Sequence, residues 1–302
     1  MSEMLKLKTK RIVVRNLFRR TAKYVDIFQN VPLKRIKSVL EQELGSADFQ
    51  MEVIEKTKAN CFKVTLGNDE YFVKVFTRHD PYMMKRLMGA IYDRKYLKVK
   101  KDVYIAMEKY YDGKTLDTYD DKTLKNLNAG KQIADDLKAL HKIEVDKKPL
   151  YILRFKHAMQ CLEKQNYKDL DKIVNFIKSN NVEFKPVLIH GDLFPSNVYI
   201  GEGGVVTVID YESAQAGHPY EDFSYLMLYS DEYPVFVKEL LNAYFDGKLP
   251  ENFWKENAYF TAIRYIVNLS ETYKNLTREQ VDENTEHIIK EFLESEHPSW
   301  WK

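Results

Sequence analysis

Cysteine is nearly absent from this chain: there are two in 302 residues, Cys61 and Cys161. Neither has a partner at metal-ligand spacing, and the pair suggests no disulfide framework. A reducing compartment, the cytoplasm, is the expected location. Glycine and proline are sparse, at 11 and 9, and there is no internal repeat or low-complexity linker. No apolar run reaches the ~20 residues of a membrane span, and the first residues lack the apolar core of a signal peptide. Charge of one sign is also missing: 47 basic against 45 acidic residues leave a formal net charge of +2. No global field therefore argues for a nucleic-acid partner. The chain is long enough to bury a good core and to divide into two lobes.

The rest is organised around residues 185–222, KPVLIHGDLFPSNVYIGEGGVVTVIDYESAQAGHPYED. The apolar run Val187-Leu188-Ile189 breaks into His190-Gly191-Asp192, and Asn197 follows five residues after Asp192. The turn Gly201-Glu202-Gly203-Gly204 precedes a second, β-branched run, Val205 to Ile209, which ends in Asp210. This predicts two short strands joined by a glycine-rich turn, each delivering a carboxylate at its boundary with a loop. Transfer of a γ-phosphoryl group from ATP needs Mg2+, a hard ion that takes one or two carboxylates together with phosphates and waters. Asn197 and Asp210 are the candidate metal ligands. Asp192 is then left to orient an acceptor hydroxyl and take its proton, the catalytic role.

HGDLFPSN followed by VIDYESAQAGHPYEDFSYL resembles the aminoglycoside phosphotransferase and choline kinase superfamily, over about residues 50 to 230. The resemblance implies an α+β, bilobal, protein-kinase-like fold, with a small N-lobe built on an antiparallel sheet and a larger, mostly helical C-lobe. It implies an ATP- and Mg2+-dependent phosphotransferase acting on a hydroxyl of a small molecule. It further implies that Asp222, after the turn Gly217-His218-Pro219, braces the catalytic loop, and that His190 is a structural hydrogen-bonder.

Along the chain, residues 1–48 comprise a basic segment and a helix, 49–107 the nucleotide-binding sheet, 108–112 a hinge and 113–302 the C-lobe. In 1–23, eight basic residues face only Glu3; the segment packs on the N-lobe or touches an anionic partner. Leu33, Ile36, Val39, Leu40 and Leu44 predict a helix that Gly45 can end. MEVIEK, CFKVTL and YFVKVF predict strands, with a turn at Gly67-Asn68-Asp69. Lys74, in the last of these, sits where the superfamily places the lysine that contacts the α- and β-phosphates. Thr57 and Asn60 occupy the phosphate-covering loop, where this chain has no glycine; their side chains, with Lys58, can contact phosphate instead. The segment 81–98 should supply a helix-borne Glu to pair with Lys74 and contains none, which leaves Asp93 and Asp80 as the nearby carboxylates. Val103–Met107 predicts a strand leading to the hinge, where backbone groups of Glu108 and Tyr110 would hold adenine.

Leu127, Ile133, Leu137 and Leu140 predict a helix ending at His141, a packed or capping residue, and 151–180 a further helical stretch. Beyond residue 223 the chain is helical and aromatic. Acids there (Asp231, Glu232, Glu239, Glu256) lie among the aromatics and would suit a cationic acceptor through charge pairing and cation–π contact. The acceptor expected first is an aminoglycoside-like amino sugar; choline, ethanolamine or homoserine is the nearest rival. The missing helix Glu and the glycine-free loop keep open a different class, a nucleotide-binding pseudokinase without transfer activity.

Overall fold

The computed structural model describes residues 31–54, 60–88 and 94–301. The expectations placed on Thr57, Lys58, Asp93 and the basic segment 1–23 lie outside these residues.

The first part is a sheet. Helix α1 (Leu33–Leu44) ends at Gly45, as its spacing predicts, although Leu33 itself faces solvent. Strands β1 (Gln50–Val53), β2 (Cys61–Leu66), β3 (Asp69–Thr77), β4 (Arg94–Lys100) and β5 (Val103–Lys109) follow, with helix α2 (Pro81–Met88) between β3 and β4. All five strands are antiparallel, in the order β1-β2-β3-β5-β4. Side chains alternate across a strand, and this alternation divides the sheet between two cores. Val73, Val75, Ile105 and Met107 pack with Ile36 and Leu40 of α1. Phe76, Tyr104 and Ala106 join the larger core on the opposite face. Lys74 lies between Val73 and Val75, so it points toward that second face, where the helical body sits.

The second part is mostly helical. Strand β6 (Gly113–Thr115) is followed by α3 (Asp121–Asn126), α4 (Ala129–His141), α5 (Tyr151–Leu162) and α6 (Leu170–Ser179). Leu127 caps α3 and does not belong to α4. The organising stretch then supplies β7 (Val187–Ile189), β8 (Val198–Gly201), β9 (Val206–Val208) and β10 (Gln215–Gly217). Here the expected hairpin needs correction. Val187–Ile189 and the run before Asp210 are not partners: β7 pairs with β10, and β9 pairs with β8, which in turn pairs with β6. The short run Val198-Tyr199-Ile200 is itself a strand and stands on the near side of the glycine-rich turn. Helices α7 (Pro219–Met227), α8 (Pro234–Tyr244), α9 (Phe253–Thr272) and α10 (Arg278–Ile288) complete the body. Helix α9 is buried along most of its 20 residues, from Phe253 and Ala258 to Leu269. No helix among the described residues is long and apolar enough to cross a membrane.

Candidate active site

Two turns bring the polar residues together. The first follows β7. Gly191 has φ +76, and a Cβ there would meet the Ser213 carbonyl at 2.6 Å, so only glycine fits between His190 and Asp192. The backbone N–H groups of His190 and Gly191 both donate to Asp222, at 2.8 Å each. Asp222 is fully buried and also pairs with His141 Nε2 at 3.0 Å. Burial alone would raise its carboxyl, but the hydrogen bonds from His141 and the Gly191 N–H outweigh it and hold the group below its ordinary range. The expected bracing of the loop is thus geometric: one carboxylate takes two consecutive amides. His141 is packed, with Nδ1 at 2.8 Å from the Tyr244 hydroxyl.

The second turn follows β9. Asp210 adopts φ 72, ψ 49, a left-handed conformation that side chains other than glycine's rarely take. His190 ties the two turns together. Its Nε2 donates to the Ile209 carbonyl at 2.9 Å, while Nδ1 accepts the Asp192 N–H at 3.2 Å. That assignment requires the neutral tautomer and leaves no proton-shuttling role. Asn197 closes the arrangement: its Nδ2 donates to the carbonyl of Asp192 at 2.7 Å and to Oδ2 at 3.1 Å, and its own carbonyl accepts the Ile209 N–H at 2.8 Å. Asp192, Asn197 and Asp210 therefore share one locality. Burial pushes the Asp192 carboxyl up and the nearby charge of Asp210 adds to this, against the pull of Arg264 and of the Asn197 hydrogen bond.

Lys74 reaches this locality from the sheet. Its ammonium lies 2.5 Å from Asp210 Oδ1 and 2.6 Å from Glu212 Oε1. These two acids pair with the strand lysine among the described residues, whereas Asp80 pairs with Lys147 at 2.5 Å. Glu212 was not anticipated as a partner of Lys74; its signal was its place two residues after the candidate metal ligand Asp210. Arg78, one residue past β3, was also missed. It donates to the carbonyls of Glu212 and Ala214, and nothing in its sequence context marks it. The two acids gathered about one ammonium, with the Asn197 amide in the same locality, form a hard-oxygen donor set that fits Mg2+ held jointly with nucleotide phosphates. No group of three or more acidic, His or Cys side chains that could hold an ion by itself occurs among the described residues.

The remaining expected nucleotide contacts fare differently. Asn60 staples the sheet edge: its Nδ2 donates to the Val75 carbonyl at 2.8 Å, and its own carbonyl accepts the Val75 N–H at 2.8 Å. Glu108 lies in the interior strand β5 between Phe72 and Arg94, and its carboxylate is paired with the buried Arg94. The Tyr110 N–H donates to the Glu70 carbonyl at 2.9 Å. That donor is therefore spent within the sheet.

Beside Asp192 stands an aromatic wall. Phe194 meets Tyr225 edge to face at 4.7 Å and Tyr229 at 5.9 Å. Burial raises the Tyr229 phenol, and the carboxylates of Glu232, Asp117 and Asp192 raise it further, so three acids act on one hydroxyl. Tyr225 in turn carries the guanidinium of Arg264 over its ring at 3.6 Å.

A bilobal fold with a strand lysine, a half-buried loop Asp and a second Asp at a strand end is that of a kinase-like phosphotransferase. The sequence profile of the phosphotransferase enzyme family matches residues 60–254, and the chain belongs to that family. It is a small-molecule kinase with an alcohol group as acceptor. Comparison with curated protein sequences finds no significant match. Among solved structures, the choline kinase LicA from Streptococcus pneumoniae is similar at 15% identity and TM-score 0.56, over 84% of this chain and 98% of that one. An ethanolamine kinase from Plasmodium vivax is similar at 15% identity and TM-score 0.56, over 93% of each chain. The AMP-bound spectinomycin phosphotransferase is similar at 14% identity and TM-score 0.55, over 82% and 90%. At these identities the likeness concerns the fold.

Proposed function

We propose that the protein moves the γ-phosphoryl group of ATP to a hydroxyl of a small, amine-bearing molecule, an amino sugar in the first instance. The observation that carries this is the convergence of Asp192, Asn197, Asp210 and Lys74 from the two parts of the chain. In this reading 49–107 is the nucleotide-binding lobe, 108–112 the hinge and 113–302 the lobe that binds the acceptor, with 1–48 packed on the first. Asp192 accepts the proton of the acceptor O–H through its carboxylate. The acceptor oxygen bonds to the γ-phosphorus as the bond from that phosphorus to the β,γ-bridging oxygen breaks, and ADP carries the electron pair away. Lys74 holds the α- and β-phosphates, with Thr57 and Asn60 at the covering loop and the stretch from Glu108 to Tyr110 beside the base. Asn197 and Asp210 would hold Mg2+, which supplies charge neutralisation to the phosphate oxygens when bound.

The acceptor's amine character is supported by the three carboxylates Asp117, Asp192 and Glu232 acting on Tyr229. A compact ammonium such as choline or ethanolamine is the second reading, and the half-buried Phe194 and Tyr229 rings favour it through cation–π contact. Two of the structurally similar proteins are kinases of such amino alcohols and one is a spectinomycin phosphotransferase. The deciding experiment measures ADP release with Mg2+ and ATP over spectinomycin, hygromycin B, choline, ethanolamine and homoserine. Acceptor-dependent release with an aminocyclitol antibiotic supports the first reading, and release with choline or ethanolamine alone supports the second. ATP binding with no release above the acceptor-free rate would return the protein to the pseudokinase class.

A further inference from the structure

Arg264 is the lone charge in α9 between Glu256 and Glu271, and only 7% of its surface is exposed. Its Nε has no hydrogen-bond partner. Burying a cation with an unsatisfied donor is costly, so its place in the middle of an apolar helix calls for a compensating role. Its charge acts on the carboxylates of Asp192, Glu221 and Glu271, and its packing partner is Tyr225. The guanidinium stacks 3.6 Å over that ring, and the Tyr225 hydroxyl donates to the carbonyl of Gly191. On the catalytic side, the Phe194 ring meets the same tyrosine at 4.7 Å, two residues beyond Asp192. Glycine at φ +76 has a wide conformational range, so Gly191, the residue leading into Asp192, keeps its attitude only if its N–H and its carbonyl are both held. Asp222 holds the N–H at 2.8 Å, and Tyr225 holds the carbonyl.

We propose that Arg264 is a positioning residue: by clamping Tyr225 from one face it fixes the Gly191 carbonyl, and with it the direction in which Asp192 presents its carboxylate. The proposal rests on Asp192 being the group that orients the acceptor. A loop element held by two side chains of one helix, one of them backed by Arg264 from another, aligns the reacting groups beforehand, and a displacement of about 1 Å at such a point can cost on the order of 10²-fold in rate.

The test needs no identified acceptor, because water serves as one. Acceptor-free hydrolysis of ATP in Mg2+ is measured for Asp192→Asn, Arg264→Met, Arg264→Lys, Tyr225→Phe and the Arg264→Met/Tyr225→Phe double variant. Arg264→Met and Tyr225→Phe should each lower kcat by about tenfold with KM for ATP unchanged, and Arg264→Lys, which keeps charge without the planar stack, should fall between. The double variant should be no slower than the slower single one, since both act through one carbonyl. Wild-type kcat in Arg264→Met and Tyr225→Phe, alongside loss of hydrolysis in Asp192→Asn, overturns the inference; so do losses that multiply in the double variant. Wild-type hydrolysis in Asp192→Asn overturns instead the reading of the site on which the inference rests. If Arg264→Met does not fold, Arg264→Lys takes its place beside Tyr225→Phe, and wild-type kcat in both overturns the inference.

Discussion

At the scale of single residues, environment sorts the carboxylates into distinct tasks. Asp222 is buried and meets its donors, so it braces. Asp192 is half-buried, and desolvation with the charge of Asp210 raises its carboxyl despite its donors. Replacing Asp192 with alanine should lower turnover by roughly 10²–10⁴ if it is the positioned base; steady-state ADP release measures this, and undiminished turnover would remove it from the chemistry. Glu221 is a third case. Its Oε1 accepts the His218 N–H at 2.9 Å at the start of α7, while Oε2 is buried without a partner. Burial pushes its carboxyl up to about 7 from an ordinary 4.5. A group whose folded pKa is raised contributes fully below the unfolded value and loses that contribution as pH rises through the folded one. Glu221→Gln keeps the capping acceptor and removes the titration. It should match the wild type in thermal stability near pH 4.5 and exceed it at pH 8, by about 3 kcal/mol on linkage arithmetic. A variant no more stable than wild type at pH 8 would show that the carboxylate is well solvated in the folded state.

Elements carry the next level, where sequence patterns succeed or fail for identifiable reasons. The sheet was legible because its strands are long and half-buried: the alternation in YFVKVF places Lys74 on the face that meets the helical body. The locality of Asp192, Asn197 and Asp210 was legible because strand ends and turns fix those residues within a short stretch. The pairing of β7 with β10 was not, since strands of three residues carry no register signal and their partners are set by tertiary packing. Glu212 and Arg78 escaped for a related reason: their partners lie over a hundred residues away, on elements whose facing is decided only by the fold. Close helix contact was equally invisible. Gly130, in the first turn of α4, packs directly on α8, where a Cβ would meet the Leu240 nitrogen at 2.6 Å and the Phe236 carbonyl at 2.7 Å. These are backbone atoms that cannot swing aside. Gly130→Ala should therefore destabilise the protein by about 1–3 kcal/mol despite alanine's better helix propensity. Chemical denaturation reads the change; an alanine variant as stable as the parent would mean that the two helices separate at little cost.

At the scale of the whole molecule, the sheet and the helical body meet through cations. Lys74 and Arg78 from the sheet both end on residues 210–214, and Arg94 stacks on Tyr211 at 4.8 Å. The segment that bears the expected metal ligand is thus also the seam between the two cores. A nucleotide and Mg2+ bound there would replace a contact between lysine and carboxylates with one that spans both parts, and a ligand that binds only the folded state stabilises it by mass action, about 2.7 kcal/mol at one hundred times Kd. Saturating ATP with Mg2+ should accordingly raise the melting temperature of the wild type, and ATP with a chelator should raise it less. Asp210→Ala should abolish the Mg2+-dependent part of the shift, because Asn197 alone offers no charge to the ion. Calorimetric melting with and without Mg2+ checks this, and an identical Mg2+-dependent rise in Asp210→Ala would move the ion away from the seam.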